Sequence, residues 1–404
     1  MLFRELLTGE LEKQREEFSQ FARTQADDLD DYLQKLICLT EKSHAEIEQR
    51  FAEEENIGAF PSSELDAAKS FSIPFSEIWT NHEEARGWAF ETLRKRTTFA
   101  ADGSQLFVER EVSLPVAAIQ IGWFENPHDE SLSYEKNAHF EVLSPEFLLK
   151  DQEEPVIPET RVGQKRFELE VEKVKEFLLK KKGWQERKER MPLAFFDGTL
   201  MISFALPRTD LQEGFINTMV GLVKLSRETR VPLVGYVDRS YARDLLTLLD
   251  AVDGRKNFQK RTLDDASVLH ASASKQKQLL KNWGDRTCFC YSKRRGLNAF
   301  IDAKTNRSIV GFTYLQTTSD NPPARLDIPA WIYEEGLLTE VLDTVRAECV
   351  IGLGYPYPLE TADQTAVITF RDREVFLQAL QGFAKENNLN FRVSRKSASK
   401  GRRR

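Results

Sequence analysis

Thr97-Thr98-Phe99-Ala100-Ala101-Asp102-Gly103-Ser104 and Leu193-Ala194-Phe195-Phe196-Asp197-Gly198-Thr199 are two versions of one pattern: an apolar run, an Asp-Gly pair, then a hydroxyl residue. A short apolar run of this kind reads as a buried strand. An Asp at its carboxyl end is held at the sheet edge, and the Gly after it permits a tight turn that leaves the carboxylate fixed and exposed. Either pair alone reads more readily as an ordinary turn, because Asp-Gly is a common turn dipeptide. Two of them, each after a strand and before a hydroxyl, point to a site.

Outward from these runs, strands are predicted at residues 115–124 and 139–143. A helix is predicted over 166–180, where Phe167, Val171, Val174, Phe177 and Leu178 form one apolar stripe. A helix over 211–229, a strand over 231–237 ending at Asp238 and a helix over 241–249 follow. Beyond residue 285 the pattern gives strands at 288–291, 309–315 and 326–333, then helices at 337–349 and from about Asp363 to residue 386. Strands first, then strands alternating with helices, imply an α/β fold with a mixed sheet flanked by helices. Residues 1–57 read as helix, with Leu29, Tyr32, Leu33, Leu36 and Ile37 at spacings of three and four, and 58–63 break it. A further helix is predicted over 76–93. The expected organisation is an N-terminal helical arm over 1–94, the α/β domain over 95–388 and a basic flexible tail over 389–404.

The chain has 404 residues and a formal net charge of −7, so any nucleic-acid contact must come from local patches. Arg392, Arg395, Lys396, Lys400, Arg402, Arg403 and Arg404 form one such patch, suited to phosphate contact or to a solubilising tail. Lys293-Arg294-Arg295 is a smaller one, read as a solvated turn before a DNA-lining one. Four cysteines (Cys38, Cys288, Cys290, Cys349) suit a reducing cytoplasm, and Cys288 and Cys290 read as part of a buried strand. The five histidines (His44, His82, His128, His139, His270) fall in no zinc-type spacing, and there is no phosphate-binding P-loop for ATP hydrolysis. No apolar run approaches the ~20 residues of a spanning helix, so a cytoplasmic protein without a membrane segment is expected.

Neighbouring carboxylates either repel or share divalent cations, and hard oxygen ligands favour Mg²⁺ or Mn²⁺. Two such ions roughly 3.5–4 Å apart activate water and stabilise the leaving oxygen in phosphodiester hydrolysis. That chemistry needs carboxylates from several elements. Glu168, Glu170 and Glu172 lie on the predicted 166–180 helix; Glu170 falls on the side of the apolar stripe, as a ligand or as a stripe-edge residue reaching water. Asp363 begins the last predicted helix, as a ligand or as an N-cap. Asp238 reads as structural or as a cap.

Asp102-Gly103-Ser104, Arg166-Phe167-Glu168-Leu169-Glu170 opening a helix, and Asp197-Gly198-Thr199-Leu200 after a strand resemble the successive motifs of the NurA nucleases. Gly354-Tyr355-Pro356-Tyr357-Pro358-Leu359-Glu360-Thr361-Ala362-Asp363 resembles the family's Tyr-Pro loop before its last helix. The similarity covers about residues 97–380. It implies an RNase H-like core and a Mn²⁺- or Mg²⁺-dependent DNA nuclease, of the 5′–3′ exonuclease and single-strand endonuclease type, acting on single- and double-stranded ends. A homodimer, a hexameric HerA-type ATPase partner and a role in end resection during double-strand break repair are implied with it. Carried over by position, Asp102, Glu170, Asp197 and Asp363 match metal ligands, with Glu168 the alternative to Glu170. Tyr355 matches a loop tyrosine near the site, with Tyr357 close behind. Asp363 stands where many relatives have a histidine. A non-catalytic DNA-binding regulatory subunit of a translocase and another RNase H-like enzyme such as a junction resolvase are the competing readings.

Overall fold

Five neighbouring strands form the part of the sheet that carries both Asp-Gly pairs: β1 Thr98–Phe107, β2 Ala117–Asn126, β3 Glu135–Leu143, β4 Leu193–Asp197 and β5 Leu233–Val237. In the computed structural model β1 pairs antiparallel with β2, and β2 antiparallel with β3. On its other side β1 runs parallel to β4, and β4 parallel to β5. The order β3-β2-β1-β4-β5, antiparallel on one side of β1 and parallel on the other, is a mixed sheet flanked by helices, as expected from the sequence. The structure describes residues 3–107, 112–150, 159–201, 210–254, 263–270 and 279–392. The tail residues from Arg395 onward therefore lie outside the described residues.

The chain divides into two compact units, residues 79–236 with 331–404 and residues 1–78 with 237–330. In the first, helices α1 His82–Leu93, α2 Pro145–Leu149, α3 Glu159–Lys181, α4 Asp210–Thr229, α5 Leu338–Ile351, α6 Tyr357–Ala366 and α7 Phe370–Glu386 accompany the sheet. Alternation along β1 assigns the layers, because successive strand residues point to opposite faces. Phe99 stacks on Phe177 of α3 at 4.7 Å, so the odd residues of β1 face α3. The Thr98 hydroxyl donates to Glu348 of α5 at 2.7 Å, so the even residues, Asp102 included, face α5 and its successor α6. The α3 stripe buries Val162, Val171, Val174, Phe177 and Leu178.

Three of the differences from the sequence reading bear on the site. β1 does not end at Asp102 but runs through Gly103 and Ser104 to Phe107, because β2 supplies a partner along its whole length. α3 begins at Glu159, so Arg166 lies inside the helix. The helix predicted from Asp363 is two helices, α6 and α7. Thr369 caps α7 with a reciprocal Thr369–Asp372 capping box.

The second unit pairs Gly58–Pro61, Cys290–Lys293, Val310–Leu315 and Ala324–Pro329 as antiparallel strands. Gly58–Pro61 does break the helical pattern, as a strand after three separate helices, Arg4–Lys13, Arg15–Leu39 and His44–Arg50, rather than the continuous helix expected over 1–57. Cys288 and Cys290 are buried free thiols; Cys290 opens its strand, whereas Cys288 lies between strands rather than inside the strand expected over 288–291. The basic triplet at 293–295 is a solvated turn only at Arg295, which is exposed in a turn; Lys293 ends a strand. Arg294 is engaged with the buried Asp244, which also holds Arg325 at 2.6 Å. Among the described residues no helix is long and apolar enough to cross a membrane.

Candidate active site

Register brings the two motifs together. Ala101 of β1 is the parallel partner of Phe196 of β4, so Asp102 and Asp197 are the next step along adjacent strands. Parallel strands lie about 4.8 Å apart and in-register side chains share a face. β4 ends at Asp197, and Gly198, at φ 119°, makes the left-handed turn that only glycine adopts readily.

Two glycines let helices approach this point from both sides. Gly122 is the β2 partner of Asp102, and a Cβ there would stand 2.5 Å from the Ala366 nitrogen and 2.8 Å from the Ala362 oxygen. Its bare backbone allows α6 to lie on the sheet beside Asp102, which places Asp363 within hydrogen-bonding reach of Asp102. Asp363 sits inside α6 rather than at a helix start, so the N-cap alternative does not hold. On the opposite face, Gly103 allows the same approach by α3, and Glu170 Oε1 comes to 2.3 Å from where a Cβ would be.

Burial raises the Asp102 carboxyl to about 6; a bond from the Gly103 N–H opposes this, and Asp197 and Asp363 add to it. Glu170 is 8% exposed, and burial raises its carboxyl to about 8, with Arg166 opposing and Asp102 and Asp197 adding. Glu170 Oε1 is buried with no hydrogen-bond donor. Glu168, the alternative one pair away, instead accepts from Gln164 Nε2 at 2.8 Å. The Tyr355 hydroxyl donates to Asp197 Oδ1 at 3.3 Å, and its ring meets Tyr236 edge-on at 5.2 Å. Tyr357 meets Phe124 instead, at 5.7 Å. Asp238 follows the end of β5, and burial raises its carboxyl.

Asp102 of β1 is thus influenced by Asp197 of β4 and Asp363 of α6, and Glu170 of α3 by Asp102 and Asp197. Among the described residues no three His, Cys, Asp or Glu side chains already stand at the spacing of a metal's ligands. The donors nevertheless suit a hard divalent cation: all are oxygens, acidic charge exceeds local cationic charge, and a buried oxygen of Glu170 lacks a donor.

A family model described as the NurA domain matches residues 96–368, well over half of the chain. The chain belongs to the NurA family. A crystal structure of NurA with manganese covers 71% of the chain and 89% of its own length, at 8% identity and a TM-score of 0.37. One of NurA bound to dAMP and manganese covers 72% and 88%, at 13% identity and a TM-score of 0.35. The catalytic domain of human endonuclease V covers 76% and 99%, at 13% identity and a TM-score of 0.31. No curated protein matches. NurA membership supports a nuclease.

Arg166 is the site residue that sequence reading quoted without a role. Its position one turn before Glu170 was visible, but its contact with Gly103 depends on how α3 meets β1.

Proposed function

We propose that this NurA-family chain is a divalent-metal-dependent hydrolase of DNA phosphodiester bonds. Asp102, Glu170, Asp197 and Asp363 would hold Mn²⁺ or Mg²⁺, and Tyr355 would steady Asp197. The observation that carries the reading is the convergence of carboxylates from separate elements: Asp102 and Asp197 are the next step along parallel strands in register, α6 with Asp363 lies against Gly122 beside Asp102, and the buried Glu170 Oε1 stands against Gly103 without a hydrogen-bond donor. A surface meant only to bind DNA gains nothing from clustered negative charge. When bound, the cations would supply an activated water and stabilisation of the departing oxygen. The chain's own part is to release the protons of Asp102 and Glu170, present the freed oxygens inward, and keep Asp197 oriented through the Tyr355 hydroxyl. Family membership supports the remaining elements: 5′–3′ exonuclease and single-strand endonuclease action, end resection in double-strand break repair, a homodimer and a HerA-type ATPase partner in the cytoplasm. The N-terminal helices would dock that partner, and the basic tail would contact phosphates.

Labelled single- and double-stranded DNA, incubated with purified protein and either Mn²⁺ or EDTA, tests the reading. Cleavage is expected with Mn²⁺ only, and it should vanish in Asp102→Ala and Asp197→Ala. Cleavage that survives EDTA or both substitutions would overturn the metal mechanism. DNA binding without any cleavage would favour the regulatory-subunit alternative.

A further inference from the structure

Arg166 lies outside the carboxylate set yet touches two sides of it. Its Nη1 donates to the carbonyl oxygen of Gly103, the residue after Asp102, at 2.7 Å. Its Nε stands 3.5 Å from Glu170 Oε1, one turn further along α3. Both of these facing atoms are buried, and neither has a hydrogen-bond partner. The strand side of the contact is equally close. A Cβ on Gly103 would lie 2.8 Å from Arg166 Cγ, 2.3 Å from Glu170 Oε1 and 2.9 Å from Ile121 Cδ1. Gly103 is in extended strand backbone, so glycine is needed there for approach and not for a left-handed φ.

We propose that Arg166 is a positioning residue that ties α3 to β1 at Gly103 and so sets where Glu170 stands relative to Asp102. The proposal rests on the metal-dependent reading above. It can be separated from a simpler role by the sign of one effect. Were Arg166 only a counter-charge for the acids, removing it would strengthen divalent cation binding, since like charges repel. Were it the tie, removing it would weaken cation binding, although a positive charge has gone. A lysine keeps the charge but lacks the planar fork that reaches Gly103 and Glu170 together.

Mn²⁺ binding to the full chain, measured by isothermal calorimetry on wild type, Arg166→Gln, Arg166→Lys and Gly103→Ala, decides between them. Thermal unfolding in EDTA confirms that each variant is folded. Partners that orient metal ligands are worth about 10- to 100-fold in metal affinity, and a loss of that size is expected in all three variants. Arg166→Lys keeps the charge and most of the stem, so it keeps the test valid if Arg166→Gln fails to fold; Gly103→Ala presses on Glu170 Oε1 and Arg166 Cγ alike and probes the closeness of the contact from the strand side. Arg166→Gln, Arg166→Lys or Gly103→Ala binding Mn²⁺ as tightly as wild type, or more tightly, would overturn the proposal. Wild-type protein that binds no Mn²⁺ would instead overturn the metal-dependent reading itself.

Discussion

Glu170→Gln should make the metal-free protein more stable while removing its metal-dependent activity. Glu170 is raised from its ordinary 4.5 to about 8, chiefly by burial, so the folded protein holds this proton long after the unfolded chain has released it. The resulting destabilisation is absent below pH 4.5. It grows by about 1.4 kcal/mol per pH unit through pH 5–7, as linkage requires, and is complete above about pH 8. At pH 8 it amounts to about 4 kcal/mol, a large share of a typical folding free energy of ~5–15 kcal/mol. Glutamine has nearly the same shape and no proton to lose. Denaturant unfolding of both proteins in EDTA at pH 5, 6, 7 and 8 reads the difference directly. The glutamine variant should gain on wild type with each step in pH. Added Mn²⁺ should raise wild-type stability at pH 8, since a ligand that binds only the folded state stabilises it, and should do less for the variant. A stability difference that stays constant from pH 5 to pH 8 would refute the assignment of Glu170 as a buried, readily protonated acid.

With Asp102 at about 6 and Glu170 at about 8, both raised first by burial, their protons compete with cations, so DNA cleavage should rise with pH across 6–8. Raising Mn²⁺ should move the midpoint of a pH–rate profile downward; a midpoint that ignores Mn²⁺ would count against this. Tyr355→Phe removes the bond to Asp197, worth about 0.5–1.5 kcal/mol net, so kcat/KM should fall about 2- to 12-fold, whereas Tyr357→Phe should leave it unchanged. Leu353 occupies the left-handed position after α5, φ 56° and 84% exposed, with the Gly354 N–H bonded to the Cys349 carbonyl in the manner of a Schellman motif. Leu353→Gly relieves a backbone conformation that costs a side chain ~1–2 kcal/mol, so the unfolding midpoint should rise; a lower midpoint would show that the leucine makes a stabilising contact.

The apolar runs, the Asp-Gly pairs and the helical stripe with Glu170 on its edge were all legible in the sequence, because burial imposes a period that a single chain displays. Their meeting was not. Asp-Gly at 102–103 signals a turn locally, yet β2 pairs with β1 from Thr98 to Phe107 and keeps the strand extended through it. At Asp197 the same dipeptide does turn, because β4 ends there. The split between α6 and α7 was marked by Thr369 and Asp372, a capping signal hidden inside one long amphipathic reading. Lys293-Arg294-Arg295 looked solvated by composition alone; Arg294 is drawn inside by Asp244, fifty positions earlier. The roles of Gly103, Gly122 and Arg166 belong to contacts between layers, which no local pattern encodes.

The most direct measurement is anomalous diffraction from crystals soaked in Mn²⁺. Density for the ion should appear between the carboxylates of Asp102 and Asp197, within reach of Glu170 or Asp363, and should be lost in Asp102→Asn crystals. Ions found only elsewhere, or density at this position that persists in the Asp102→Asn crystals, would contradict a cation held jointly by the two strand carboxylates.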